Sequence, residues 1–91
     1  MRRKSSNPEF DKILETQYNE CYNIILEDFK DKNPVFLASF CKSQVDFARM
    51  KEKSYRKKHT FEDKLDSVLE INAAHALRDA CIKLLKQKYI N

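Results

Sequence analysis

The chain has 91 residues, a formal net charge of +4 and no glycine, which limits it to one small domain. Hairpin turns favour glycine at positive backbone dihedrals, so an all-β domain is disfavoured and a glycine-rich phosphate loop is excluded. Helix interiors lose stability where glycine is present, so its absence suits helices. The composition therefore predicts an all-α fold.

The charge is divided unevenly along the chain. Residues 1–6 carry +3, and residues 7–32 carry seven acids against three bases. Residues 33–60 carry seven bases against two acids, whereas residues 61–91 are balanced. An acidic first part and a basic centre are compatible with nucleic acid or an acidic protein as the partner.

Residues 1–6 are predicted to be a disordered basic tail, and residues 7–91 a single helical domain. No apolar run approaches the ~18 residues of a membrane span, and the basic start is followed by polar residues rather than a signal-peptide core. The three cysteines have no CxxC spacing, which predicts free thiols in a reducing compartment. We expect a soluble intracellular protein, cytoplasmic or nuclear, that makes no membrane contact.

The first helix is predicted over residues 8–31. Asparagine caps a helix through its side-chain oxygen and proline suits the first helical position, so the pair Asn7-Pro8 marks its start. Apolar side chains then recur every three or four residues, with Ile13 and Ile24 at the edge of their face. These side chains are Phe10, Leu14, Tyr18, Cys21, Tyr22, Ile25 and Phe29. A second pair, Asn33-Pro34, follows at once, and such a short turn predicts an antiparallel hairpin with the next helix.

The second helix is predicted over residues 34–58. Its apolar surface spans about half the circumference, more than one neighbouring helix covers, which predicts two neighbours or a partner chain. The predicted partner interface on this surface is Phe36, Phe40 and Phe47. Basic residues at spacings of seven, four and three form a stripe on the opposite side, extended at its end and interrupted by Asp46. They are Lys42, Arg49, Lys53, Arg56, Lys57 and Lys58.

The third helix is predicted over residues 61–89, with Thr60 and Asp63 forming a variant capping box at its start. It carries two apolar lines, and its alanines permit close helix approach, so two neighbouring helices are expected. The predicted fold is an all-α, three-helix antiparallel bundle. The excess apolar surface on the second helix is compatible with a homodimer.

No catalytic residue, metal site or cofactor is predicted. His59 and His75 have no further ligand at a recognisable metal spacing. Cys21, Cys41 and Cys81 each fall on an apolar face, where a thiol behaves as a small hydrophobe. Because the carboxylate pairs are ordinary helix-surface neighbours, we expect the protein not to be an enzyme.

The sequence predicts a non-catalytic binding protein that presents the stretch from Lys42 to Lys58 to an anionic partner, with nucleic acid first and an acidic protein second. A plainly solvated helix face remains an alternative for this stripe. A different class also stays open: an adaptor, inhibitor or assembly subunit that binds through apolar helix surface. A helix-turn-helix motif is disfavoured because those motifs join short helices. Base stacking is disfavoured because Tyr55 is the one ring in the most basic part of this stretch, which follows Arg49.

Overall fold

The structure is a computed structural model that describes residues 8–57 and 60–90, without the side chains of Asp63, Tyr89 and Ile90. Its helices are α1 (Pro8–Asp28), α2 (Pro34–Tyr55) and α3 (Phe61–Ile90), and no strand occurs among these residues. The predicted all-α bundle is confirmed. The predicted tail at residues 1–6 and the first capping residue lie outside the described residues.

The boundary between α1 and α2 follows from Asn33 and Pro34. Asn33 is extended (φ −75°, ψ 161°), and its side-chain Oδ1 accepts the Phe36 N–H at 2.8 Å, which caps α2 as predicted. Because the residue before a proline avoids helical backbone, the chain must leave α1 before Asn33. It does so after Asp28, three residues earlier than predicted, through a short hydrogen-bonded turn.

α3 begins one residue after Thr60, whose backbone carbonyl accepts the Lys64 N–H at 3.2 Å. The Asp63 side chain that was predicted to complete the capping box lies outside the described residues. α2 ends at Tyr55, three residues before the predicted end. Helices α2 and α3 are therefore separated by five residues, numbers 56–60, of which 58 and 59 lie outside the described residues.

α3 is the central helix of the bundle. It packs against both other helices, whereas no Cα pair between α1 and α2 lies within 8 Å. The prediction that α3 has two neighbours is therefore confirmed. α3 is 30 residues long, and at about 1.5 Å per residue its length accounts for the 44 Å length of the molecule.

α1 runs parallel to α3. Near its start, the Leu14 carbonyl accepts a hydrogen bond from the side chain of Asn72 at 2.8 Å. One turn later, the Tyr18 hydroxyl donates to the Asp79 carboxylate. Residue numbers thus rise together in the two helices.

α2 runs antiparallel to α3. Lys51 forms an ion pair with Glu70 at 2.9 Å. Four residues further along α2, the Lys64 ammonium lies 5.8 Å from the centre of the Tyr55 ring. The three helices therefore alternate in direction, as an antiparallel bundle requires.

The main apolar core lies at the end of the bundle where α1 turns into α2. There, the ring of Phe29 packs edge-on against Phe36 and Phe40, with ring centres 5.2 and 4.9 Å apart. The buried members of this core come from all three helices: Ile25, Leu37, Ala80, Cys81 and Leu84. The predicted α1–α2 hairpin is antiparallel, but among the described residues its two helices meet near their turn and not along their length.

Candidate binding surface

Four basic side chains lie together on the outer side of α2. They are separated by seven, four and three residues, which keeps them on one side of a helix with 3.6 residues per turn. All four are exposed, whereas Leu37 and Ala48 of the same helix are buried. At 1.5 Å per residue the row is about 21 Å long. We call it the basic face: Lys42, Arg49, Lys53 and Arg56.

Lys57 is exposed in the turn that follows the basic face. Lys58, which was predicted to extend the stripe further, lies outside the described residues. The structure thus brings five of the six predicted basic residues to one helix and its following turn.

The basic face is largely uncompensated. Arg49, Lys53 and Arg56 form no ion pair with any described residue, and Lys42 pairs with Asp46 at 3.5 Å. Both members of that pair are well exposed, so water and salt weaken their attraction. The acidic residues of α1 therefore do not neutralise this face from within the molecule.

Lys51 belongs to the same basic segment but has a different environment. Its ammonium pairs with Glu70 of α3 at 2.9 Å and lies 5.4 Å from the centre of the Phe47 ring. The side chain is mostly covered. Lys51 therefore joins α2 to α3 and is not part of the basic face.

The two outer helices carry opposite charge. α1 has six carboxylates against one lysine, which gives −5. α2 has four cations against two carboxylates, which gives +2, and Arg56 and Lys57 raise this to +4. Because α1 and α2 do not pack along their length, these charges remain on separate outer surfaces.

The three phenylalanines of the predicted partner interface are divided between two places. Phe36, still 40% exposed, stacks with Phe40 at the α1–α2 turn, and the Lys32 ammonium lies 5.3 Å from the Phe36 ring centre. Phe47 lies further along α2 in a shallow depression against α3. The other residues of that depression are Ser43, Gln44, Glu70, Ala73, Ala74 and Leu77.

Five other large apolar side chains are more exposed than these three phenylalanines. The sequence pattern did not identify them as a surface. They are 55–79% exposed: Ile13, Ile24, Val35, Met50 and Phe61. Ile13 and Ile24 are eleven residues apart, close to three helical turns, so they share one side of α1. That spacing was the available signal, but both residues also border the buried face.

A polar contact between α1 and α3 alters the acidity of Tyr18. Burial first, and then the hydrogen bond to Asp79, raise the pKa of Tyr18 to about 12. Arg78 pairs with the same carboxylate at 2.9 Å. The described contacts give these side chains a role in joining helices.

His75 lies at the α2–α3 contact. Its Nε2 is 3.9 Å from the Glu52 carboxylate, and its buried Nδ1 has no hydrogen-bond partner among the described residues. Burial, followed by the charge of Arg78, lowers the pKa of His75. His59 lies outside the described residues.

Burial raises the pKa of all three thiols, that of Cys81 to about 11, which reduces their thiolate fraction at neutral pH. Within residues 8–57 and 60–90, no cluster of three potential metal ligands occurs. In the same part of the chain, no helix combines the length and the apolarity needed to cross a membrane.

No protein-family model, no curated protein and no solved structure matches the chain.

Proposed function

We propose that this protein is a non-catalytic helical protein that binds nucleic acid through the basic face of α2. The observation that carries the proposal is a row of four exposed cations, about 21 Å long, of which Arg49, Lys53 and Arg56 have no ion-pair partner among the described residues. Exposed cations without an ion-pair partner can neutralise the phosphates of a nucleic acid, which releases the counterions bound to those phosphates.

The contacts are proposed to reach the phosphate backbone rather than stacked bases. Tyr55, the aromatic residue inside the basic run, is half-buried and covered by the Lys64 ammonium at 5.8 Å. The Phe47 ring is similarly in contact with the Lys51 ammonium. Because backbone contacts carry little sequence information, binding is expected to be weakly dependent on sequence.

The test compares the affinities for a mixed-sequence DNA duplex and for RNA at two salt concentrations, by fluorescence anisotropy. The variant R49Q/K53Q/R56Q removes three charges from the basic face. A matched control, K12Q/K86Q/K88Q, removes three exposed charges from α1 and α3. We expect the first variant to bind much more weakly than the wild type and the control to keep most of the affinity; no binding by the wild type at low salt would refute the proposal.

A second candidate is a protein–protein adaptor, inhibitor or assembly subunit. The observation in its favour is Phe36, which remains 40% exposed although it packs with Phe29 and Phe40. This candidate predicts that Phe36→Ala abolishes capture of an acidic or apolar protein partner while leaving nucleic-acid affinity unchanged. A strictly monomeric protein that captures no such partner would count against it.

A further inference from the structure

A second row of exposed side chains runs along α1 with the same spacing as the basic face. Its members are separated by seven, four and three residues, so they share one side of the helix. It combines two isoleucines that are 57% and 55% exposed with two exposed glutamates. We call it the α1 stripe: Ile13, Glu20, Ile24 and Glu27.

No other described part of the chain covers the α1 stripe. Glu20 forms no ion pair with a described residue, and Glu27 pairs with Lys30 at 3.1 Å in an exposed, weak contact. The α1 stripe and the basic face are each about 21 Å long. One is apolar and acidic, and the other is basic with the exposed thioether of Met50 beside it.

We propose that the α1 stripe is covered by the basic face of a second copy of this chain. A contact of α1 with α1, or of α2 with α2, would place like charges opposite each other, whereas a contact of the α1 stripe with the basic face pairs acid with base. Glu20 and Glu27 are seven residues apart, as are Arg49 and Arg56, so each glutamate can face one arginine of the second copy. Ile24 and Met50 supply the apolar part of the contact.

A head-to-tail contact that does not close into a ring leaves one α1 stripe and one basic face free at the ends of each assembly, so it propagates into open chains. A single helix pair about 30 Å long and about 10 Å wide falls below the ~1,200 Å² of standard interfaces, so the association is weak and transient. Nucleic acid bound to the basic face would compete with it. This self-association does not depend on the proposed function.

The test is sedimentation velocity of the full chain at about 50 mM and about 500 mM salt, since screening shortens from about 10 Å at 0.1 M to about 3 Å at 1 M. We expect wild-type assemblies that grow with protein concentration and shrink at high salt. The variants E20Q/I24S/E27Q and R49Q/K53Q/R56Q each remove one partner surface, and each should associate at least about tenfold more weakly.

Mixing the two variants provides the decisive measurement. One retains an intact basic face and the other an intact α1 stripe, so an equimolar mixture should form 1:1 complexes and nothing larger. A wild-type protein that stays monomeric to about 500 µM at low salt, or a mixture no more associated than its components, overturns the proposal. Wild-type assemblies that an added DNA duplex leaves intact would support it while counting against the proposed nucleic-acid function. Circular dichroism checks that both variants retain wild-type helix content.

Discussion

The basic face allows the salt dependence of nucleic-acid binding to be worked out in advance. Each phosphate that a protein cation neutralises adds about −0.9 to the slope of log affinity against log salt concentration on duplex DNA. Four exposed cations, Lys42, Arg49, Lys53 and Arg56, therefore predict a slope of about −3.6. Between about 50 mM and about 200 mM salt, this slope lowers affinity by about 150-fold.

The variant R49Q/K53Q/R56Q leaves Lys42 as the remaining cation of the basic face. Its slope is expected to be about −0.9, so the same change in salt lowers affinity by about 3.5-fold. The control variant K12Q/K86Q/K88Q has the same net charge, but its slope is expected to stay near the wild-type value. Comparing the two separates phosphate contacts from the overall charge of the protein.

The slopes are measured by anisotropy titrations of a labelled duplex at four or more salt concentrations, with circular dichroism as the check on folding. The assignment of the basic face is refuted if the wild-type slope is no steeper than that of R49Q/K53Q/R56Q. It is also refuted if the control variant loses as much slope as that variant. In that case net charge alone, and not the α2 row, would account for the binding.

Two further predictions concern stability. Leu37 is fully buried, so Leu37→Ala should lower the free energy of unfolding in urea by about 2–5 kcal/mol, whereas Met50→Ala at an exposed position should change it by less than about 0.5 kcal/mol; equal losses would contradict the assigned core. Burial and Asp79 raise the pKa of Tyr18 from 10.0 to about 12, so the folded state holds this proton more tightly than the unfolded state. The resulting stability is fully present below pH about 10 and is lost as the pH rises from about 10 to about 12. Urea midpoints across this range should fall less steeply for Tyr18→Phe, and parallel curves would show that this titration is not linked to folding.

Local signals in the sequence were enough to predict the three helices and the alignment of the basic residues along one side of α2. The pair Asn33-Pro34 acts through one side-chain hydrogen bond and one missing N–H, so its effect could be predicted without knowing the neighbouring helices. The spacing of Lys42 to Arg56 likewise depends on helix geometry alone. The end of α1 was predicted three residues too late because Phe29 continues the apolar pattern of the helix. In the structure, the Phe29 ring instead packs at the α1–α2 turn against Phe36 and Phe40.

The arrangement of the helices around α3 could not be predicted from these signals. Whether a residue at the edge of an apolar face is covered depends on where the neighbouring helix lies. Ile13 and Ile24 border the face that contains Leu14 and Ile25, yet they are exposed because α2 does not pack along α1. For the same reason, the sequence could not show that the Phe36 ring lies at the α1–α2 turn whereas the Phe47 ring lies in the depression between α2 and α3.

The central position of α3 also determines the order in which the helices unfold. Only five residues of chain separate α2 from α3, whereas the contacts of Asn72 and Asp79 with α1 span 58 and 61 residues of chain. Loop-closure entropy therefore favours the α2–α3 pair as a cooperative unit onto which α1 docks last. In native-state hydrogen exchange, the amides of α1 should exchange before those of α2 and α3. Each such opening would bare the side of α3 that Leu14 and Ile25 cover, leaving a helical hairpin as the longest-lived part of the fold.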